Sequence, residues 1–234
     1  MQGNIGMKIK VVSFDLGHTL AFPRYDWMVK IVREAGIETD RRGLEMIEMK
    51  LRRWFDELVL SEGVSDELWK KYYIKFFSEL GAPVEETENL LIAVWDEHSK
   101  SVGLWTEPAP GAEEVLSILS DSEVQLACVS NNDGRLPAMI DYLGWNDYFD
   151  LLVDSGELGI SKPDPGIFEF TLQQLDRKAA ELIHIGDYYS VDVIGARRAG
   201  ATGILYDPLG GYGSLDCTVI SDLKEVLILL ESNH

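Results

Sequence analysis

A chain of 234 residues is long enough for one sizeable α/β domain carrying a smaller insert. Its 46% hydrophobic and 26% charged residues exclude wholesale disorder, and its longest apolar runs, 90–95 and 226–230, are far too short to cross a bilayer. A formal net charge of −19 argues against nucleic acid as partner, because that affinity rests on Lys and Arg, and it obliges any anion site to build its own positive field. Cys128 and Cys217 lie far apart in apolar runs, which predicts buried free thiols in a reducing compartment and neither a disulfide nor a zinc site. The first eight residues lack the basic start and apolar stretch of a secretory signal, and Met7 offers an alternative start. A cytoplasmic protein, with no membrane contact, is expected.

In chain order, residues 9–14 form a short run rich in β-branched side chains, predicted as a strand buried on both faces. Residues 22–105 differ in character. Stretches 41–60 and 66–80 have helical periodicity, no strand is evident, and Trp27, Trp54, Trp69, Trp95, Tyr72, Tyr73, Phe76 and Phe77 read as the core of a small helical bundle. The sequence Glu107-Pro108-Ala109-Pro110-Gly111 marks a return. Thereafter helical patterns (111–120, 167–175, 191–199, 223–230) alternate with strand-like runs (124–130, 151–154, 182–186, 202–206, 217–220). Such alternation implies a parallel sheet covered on both faces. The predicted fold is therefore α/β: a doubly wound parallel core from residues 1–21 and 106–234, interrupted by a helical insertion at 22–105.

Ligands of open parallel sheets bind beyond the carboxyl ends of the strands. The first strand delivers Asp15 there, the second Ser130 and Asn131, and the fourth Asp187; Lys162 follows the third. A carboxylate at position 15 can attack phosphorus and split one difficult step into two. Ser130 and Asn131 can offer a hydroxyl and a backbone N–H to phosphoryl oxygens. Lys162 can hold Asp15 and an incoming phosphate together as a point charge. Asp187 and Asp192, at a strand end and the next helix start, suit a hard cation such as Mg²⁺. Each residue alone reads as ordinary turn or cap chemistry; their order carries the argument.

The series Asp15…Thr19, Ser130, Lys162-Pro163 and Gly186-Asp187…Asp192 resembles the four ordered motifs of the haloacid dehalogenase-like superfamily, over essentially the whole chain. The resemblance implies a Rossmann-like core, an Asp15 nucleophile, a Mg²⁺ site using Asp15, Gly17, Asp187 and Asp192, and an all-helical cap inserted after the first motif. Thr19 and Ser130 would bind phosphate. The activity implied is a phosphatase acting on a small phosphorylated molecule through an aspartyl-phosphate; a monomer or homodimer is expected.

The chain departs from that pattern at one place. Where phosphatases of the family carry Asp two residues after the nucleophile, followed by Gly, this sequence has Gly17 and His18. The missing Asp would protonate the leaving oxygen, whereas the Gly17 carbonyl can still serve a metal. Loss of a positioned acid costs on the order of 10²- to 10⁴-fold in rate. His18 is a candidate replacement, since imidazole titrates near neutrality, and Arg24 is a candidate contact for an anionic substrate. Two other readings stand beside the phosphatase: a 2-haloacid dehalogenase, whose halide leaves without a proton, and a catalytically weakened protein that binds phosphate or a partner.

Overall fold

The computed structural model describes residues 8–231. The segment on which the leader-sequence reading rests, through Met7, lies outside the described residues. Strand β1 (Val11–Phe14) is followed by a short β2 (Ala21–Pro23) and four helices: α1 (Tyr25–Glu34), α2 (Arg41–Glu62), α3 (Asp66–Glu79) and α4 (Val84–His98). Strand β3 (Trp105–Pro108) then leads into α5 (Ala112–Ser120), β4 (Gln125–Ser130), α6 (Leu136–Tyr142), β5 (Leu151–Asp154), α7 (Ser155–Leu158) and α8 (Gly166–Leu175). The chain ends with β6 (Leu182–Gly186), α9 (Ile194–Arg198), β7 (Thr202–Tyr206), β8 (Thr218–Ile220) and α10 (Glu225–Glu231).

Six strands form one sheet in the order β5-β4-β1-β6-β7-β8, and every neighbouring pair is parallel. Alternate residues of a strand face opposite ways. Val12 and Phe14 therefore join Leu126, Cys128 and Ile185 in one apolar layer, under α5, α6 and α10. Val11 joins Ala127, Val129 and Leu182 on the other face, under α8 and α9. The predicted α/β class, with a parallel sheet covered on both faces, is the observed one. Among the described residues, no helix is long and apolar enough to cross a membrane. Both cysteines are free, but only Cys128 is fully buried; Cys217, near the sheet edge, is half-buried, against the expectation for it.

The helices between β2 and β3 build their own core from Phe55, Tyr72, Tyr73, Phe76 and Phe77, in which Tyr188 and Val191 of the sheet domain also take part. Asp40 and Ser65 start α2 and α3 by accepting hydrogen bonds from Gly43 and Leu68 N–H groups. Against the expectation from periodicity, residues 22–105 are not free of strand. Phe22, Pro23 and Trp105 belong to an antiparallel β2–β3 ribbon at the root of the insertion. Its strands are three and four residues long and each contains Pro, too short and too irregular for an alternation to show.

Candidate active site

The carboxyl ends of β1, β4 and β6 are adjacent because β1 lies between the other two. Asp15 follows β1 and donates its backbone N–H to Ile185 O at 2.8 Å, which fixes its direction. Lys162, in the loop between α7 and α8, is 1% exposed and directs its ammonium at Asp15 Oδ1 and Asp192 Oδ1, 2.7 Å from each. Among the described residues, no hydrogen bond engages Asp15 Oδ2. Burial works against the Lys162 ammonium, but the two carboxylates outweigh it and hold its pKa above the ordinary lysine value. The amine is thus a fixed positive charge.

Behind it lies a buried chain. Asp192 Oδ1 meets His184 Nε2 at 3.1 Å, and His184 Nδ1 meets the Ser13 hydroxyl at 2.8 Å. Burial, with the Lys162 charge, holds His184 below its usual pKa and so neutral. The network then assigns the tautomer: Nε2–H donates to Asp192, and Nδ1 accepts from Ser13. Asp192 Oδ2 accepts the Tyr188 N–H at 2.9 Å. A π-helical turn, Tyr189–Val193, rolls Asp192 back against β6. A Cβ on Gly186 would stand 2.1 Å from Asp192 Cγ, so glycine there makes the room.

Other expected residues lie close by with different partners. Ser130, at the end of β4, is buried, and among the described residues its hydroxyl makes no hydrogen bond. Asn131 is committed to Lys162: its Nδ2 donates to Lys162 O at 2.9 Å and its Oδ1 accepts the Lys162 N–H at 2.8 Å. That side chain positions the lysine loop. Thr19 is fully buried with an unpartnered Oγ1. Arg24, expected as a contact for an anionic substrate, pairs with Glu97 at the end of α4, while its Nε stays buried and unpartnered.

His18 adopts φ 53°, the left-handed region that suits the glycine it replaces. Burial foremost, then Arg52, lowers its pKa to about 3. That shift favours the neutral ring and weighs against the proton-donor role expected of His18. Its Nδ1 lies 3.8 Å from Glu48 Oε2, and burial pushes Glu48 itself up to about 7, against its hydrogen bond from Tyr25.

Three charged residues of α2 reach this region, and sequence reasoning missed all of them. Glu48 accepts the Tyr25 hydroxyl at 2.6 Å; Arg52 donates Nη1 to Asp187 O at 2.7 Å and to Asp187 Oδ2 at 3.0 Å; Asp56 accepts the Ser190 N–H at 2.8 Å. Each is one helical turn from the next and nearly fully buried. Charges repeating every four residues beside the apolar positions Leu44, Leu51, Phe55 and Val59 were the available signal.

Three carboxylates (Asp15, Asp187, Asp192) thus face two cations, Lys162 and Arg52. Asp187 registers the excess: burial first, with Asp192 and Asp15 adding and Arg52 opposing, pushes its carboxyl well above the ordinary range. Among the described residues, no three His, Cys, Asp or Glu side chains gather around a common point as a ready metal site. Asp192, expected as a ligand, has both oxygens engaged. What remains is Asp15 Oδ2, the unengaged Gly17 carbonyl and the Asp187 carboxylate. This all-oxygen, anion-rich set fits Mg²⁺, which takes one or two carboxylates and fills its other positions with water and substrate phosphate.

A family profile described as haloacid dehalogenase-like hydrolase matches residues 9–200. The chain belongs to the haloacid dehalogenase-like hydrolase family. This hydrolase is 30% identical over 181 residues to haloacid dehalogenase-like hydrolase domain-containing protein 3 of Mus musculus, which covers 77% of this chain and 70% of that one. It is 29% identical over 238 residues to a glyceraldehyde 3-phosphate phosphatase of Methanothermobacter thermautotrophicus, covering 94% and 100% of the two chains. Among solved structures, the HAD hydrolase YfnB of Bacillus subtilis, described as bound to magnesium, superimposes with a TM-score of 0.67 at 16% identity, over 96% of this chain and 100% of that one. At that identity the likeness speaks for the Rossmann-like fold.

Proposed function

We propose that this hydrolase is a Mg²⁺-dependent phosphatase for a small phosphate monoester, working through an aspartyl-phosphate on Asp15. One observation carries the reading: Lys162 grips Asp15 Oδ1 and Asp192 at 2.7 Å each, holding the Asp15 carboxylate at the strand end with its second oxygen free. In the first step, one Asp15 carboxylate oxygen forms a bond to phosphorus as the ester P–O bond breaks and its electron pair leaves with the alcohol, while the other oxygen stays available to the cation. In the second, water attacks phosphorus and the bond to Asp15 breaks, regenerating the carboxylate. Lys162 and the Ser130 hydroxyl bind phosphoryl oxygens. Asp192 acts by positioning Lys162, and Asn131 by holding its loop.

Asp15, the Gly17 carbonyl and Asp187 would hold Mg²⁺, with Asp187 giving up its Arg52 partner. When bound, the ion supplies positive charge against the transferring phosphoryl group. In this reading residues 22–105 form a cap over a core of residues 1–21 and 106–234, and α2 is the element through which the cap reaches the site. With Gly17 in place of an acid, aryl, acyl and sugar-1-phosphates should turn over better than alkyl phosphates. The similarity to a protein named as a glyceraldehyde 3-phosphate phosphatase supports phosphate-ester chemistry.

The test is phosphate release from an aryl phosphate, with Mg²⁺ or with EDTA, by the native chain and Asp15→Asn. Release that needs both magnesium and Asp15 is expected. Release that persists in the Asp15→Asn protein would overturn the assignment of the nucleophile.

A further inference from the structure

Gly17 has no side chain, yet the space beside it is filled. A Cβ built on Gly17 stands 3.5 Å from both Cδ1 and Nε1 of Trp105, so the indole edge bearing the N–H lies just beyond the point where a side chain would begin. That nitrogen is shielded from solvent and has no hydrogen-bond partner. The ring is held by its neighbours. It packs edge-on between His18 and His98, with centroids 5.9 Å and 5.0 Å away, and its backbone is paired with Pro23 in the β2–β3 ribbon. Neither histidine takes the indole proton: both Nδ1 atoms are themselves buried and unpartnered.

An unmade hydrogen bond from a buried donor costs about 1–3 kcal/mol. Buried polar groups are nearly always paired, and exceptions ask for a reason. A donor next to residue 17 has an evident acceptor to meet. The resemblance to the family implies that a carboxyl group at this position would serve the oxygen leaving phosphorus, and Trp105 Nε1 borders the space where that side chain would begin.

We propose that the Trp105 indole N–H is the hydrogen-bond donor to the ester oxygen of the substrate, taking over part of the work of the side chain that Gly17 lacks. The proposal rests on the phosphatase reading above. Indole does not ionise in this range and is a donor only. As Asp15 bonds to phosphorus and the P–O bond breaks, the electron pair moves onto the ester oxygen, and Trp105 stabilises that developing charge without giving up its proton. The alcohol is completed by a proton from water. Such a donor works through fixed direction in a shielded site, as in other preorganised charge-stabilising sites.

Trp105→Phe keeps a ring between the two histidines and removes the N–H. The experiment compares native and variant proteins across phosphate esters of rising leaving-group pKa, reading the rate of phosphoryl-enzyme formation. The expected loss is ~10²- to 10³-fold for an alkyl phosphate, the range of a single oriented donor acting on charge, and under about 3-fold for the most acidic phenol. An equal loss for every ester would assign Trp105 a packing role and overturn the proposal. Absence of turnover by the native chain on any ester would instead overturn the phosphatase reading, and this proposal with it. A readout independent of turnover uses ¹⁵N-tryptophan in the Asp15→Asn protein saturated with phenyl phosphate and Mg²⁺. The Trp105 indole proton should move downfield; an unmoved resonance contradicts the proposal even if Trp105→Phe fails to fold.

Discussion

On the sheet side of Asp15, Ser13, His184, Asp192 and Lys162 form a buried chain in which every polar side-chain atom has a partner. On the side facing the helical insertion, His18, Trp105, His98 and Arg52 each keep a buried nitrogen without one. A satisfied buried network is rigid and holds one geometry whether or not a ligand is present. An unsatisfied one is stable only because the rest of the fold outweighs it, and it gains most when a ligand arrives. In the proposed mechanism the sheet aims Asp15, while the substrate's leaving part is met from the insertion and its root.

The largest expected effect comes from breaking the satisfied side. Lys162→Met leaves Asp15 and Asp192 as buried carboxylates without their shared cation, which should cost about 3–5 kcal/mol of stability and abolish turnover. Denaturant unfolding measures it; a loss below about 1 kcal/mol would mean the chain is not the rigid element described.

Next is Glu48, on the insertion side, whose pKa rises from the ordinary 4.5 to about 7. The folded protein holds that proton more tightly, so the associated stability is complete below pH 4.5, is lost as pH rises toward 7 and is gone above it. Glu48→Gln imitates the protonated form. Its advantage over the native chain should grow from near zero at pH 4.5 to roughly 3 kcal/mol above pH 7. A difference that does not vary with pH would show that Glu48 titrates normally.

Ser13→Ala should cost about 1–2 kcal/mol by leaving His184 Nδ1 unpaired in the sheet core. Thermal unfolding checks this, and a neutral outcome would place the end of the chain at His184. The smallest effect is expected at His18, whose φ of 53° strains any side chain. His18→Gly should be more stable than His18→Ala by about 1 kcal/mol, since only the former relieves the backbone. Equal stability would mean the loop relaxes to another conformation.

The sheet is legible in the sequence because its strands are short, mostly apolar runs between helical patterns, as in Val11–Phe14 and Leu182–Gly186. The strand-end rule then brings Asp15, Lys162 and Asp187 together without any coordinates. Partners are what it leaves out. Asp187 and Asp192 read as one pair because both follow β6, yet the π-helical turn sends Asp192 to Lys162 and leaves Asp187 to Arg52. Asn131 reads as a phosphate contact through its backbone N–H from its place after β4, and the sequence gives no sign that its side chain is held by the Lys162 loop. Trp105 falls at the end of a helical region rich in aromatics and has no local feature to distinguish it. Only the β2–β3 ribbon brings it back beside Gly17.

The central claim, that Asp15 is the nucleophile, is tested most directly by rapidly quenching the Mg²⁺-loaded protein during turnover of an aryl phosphate and locating the covalent phosphoryl group by mass spectrometry. The account predicts one phosphoryl group on the peptide containing Asp15, lost in Asp15→Asn. Phosphate release at full rate with no adduct on that peptide at any quench time would contradict it.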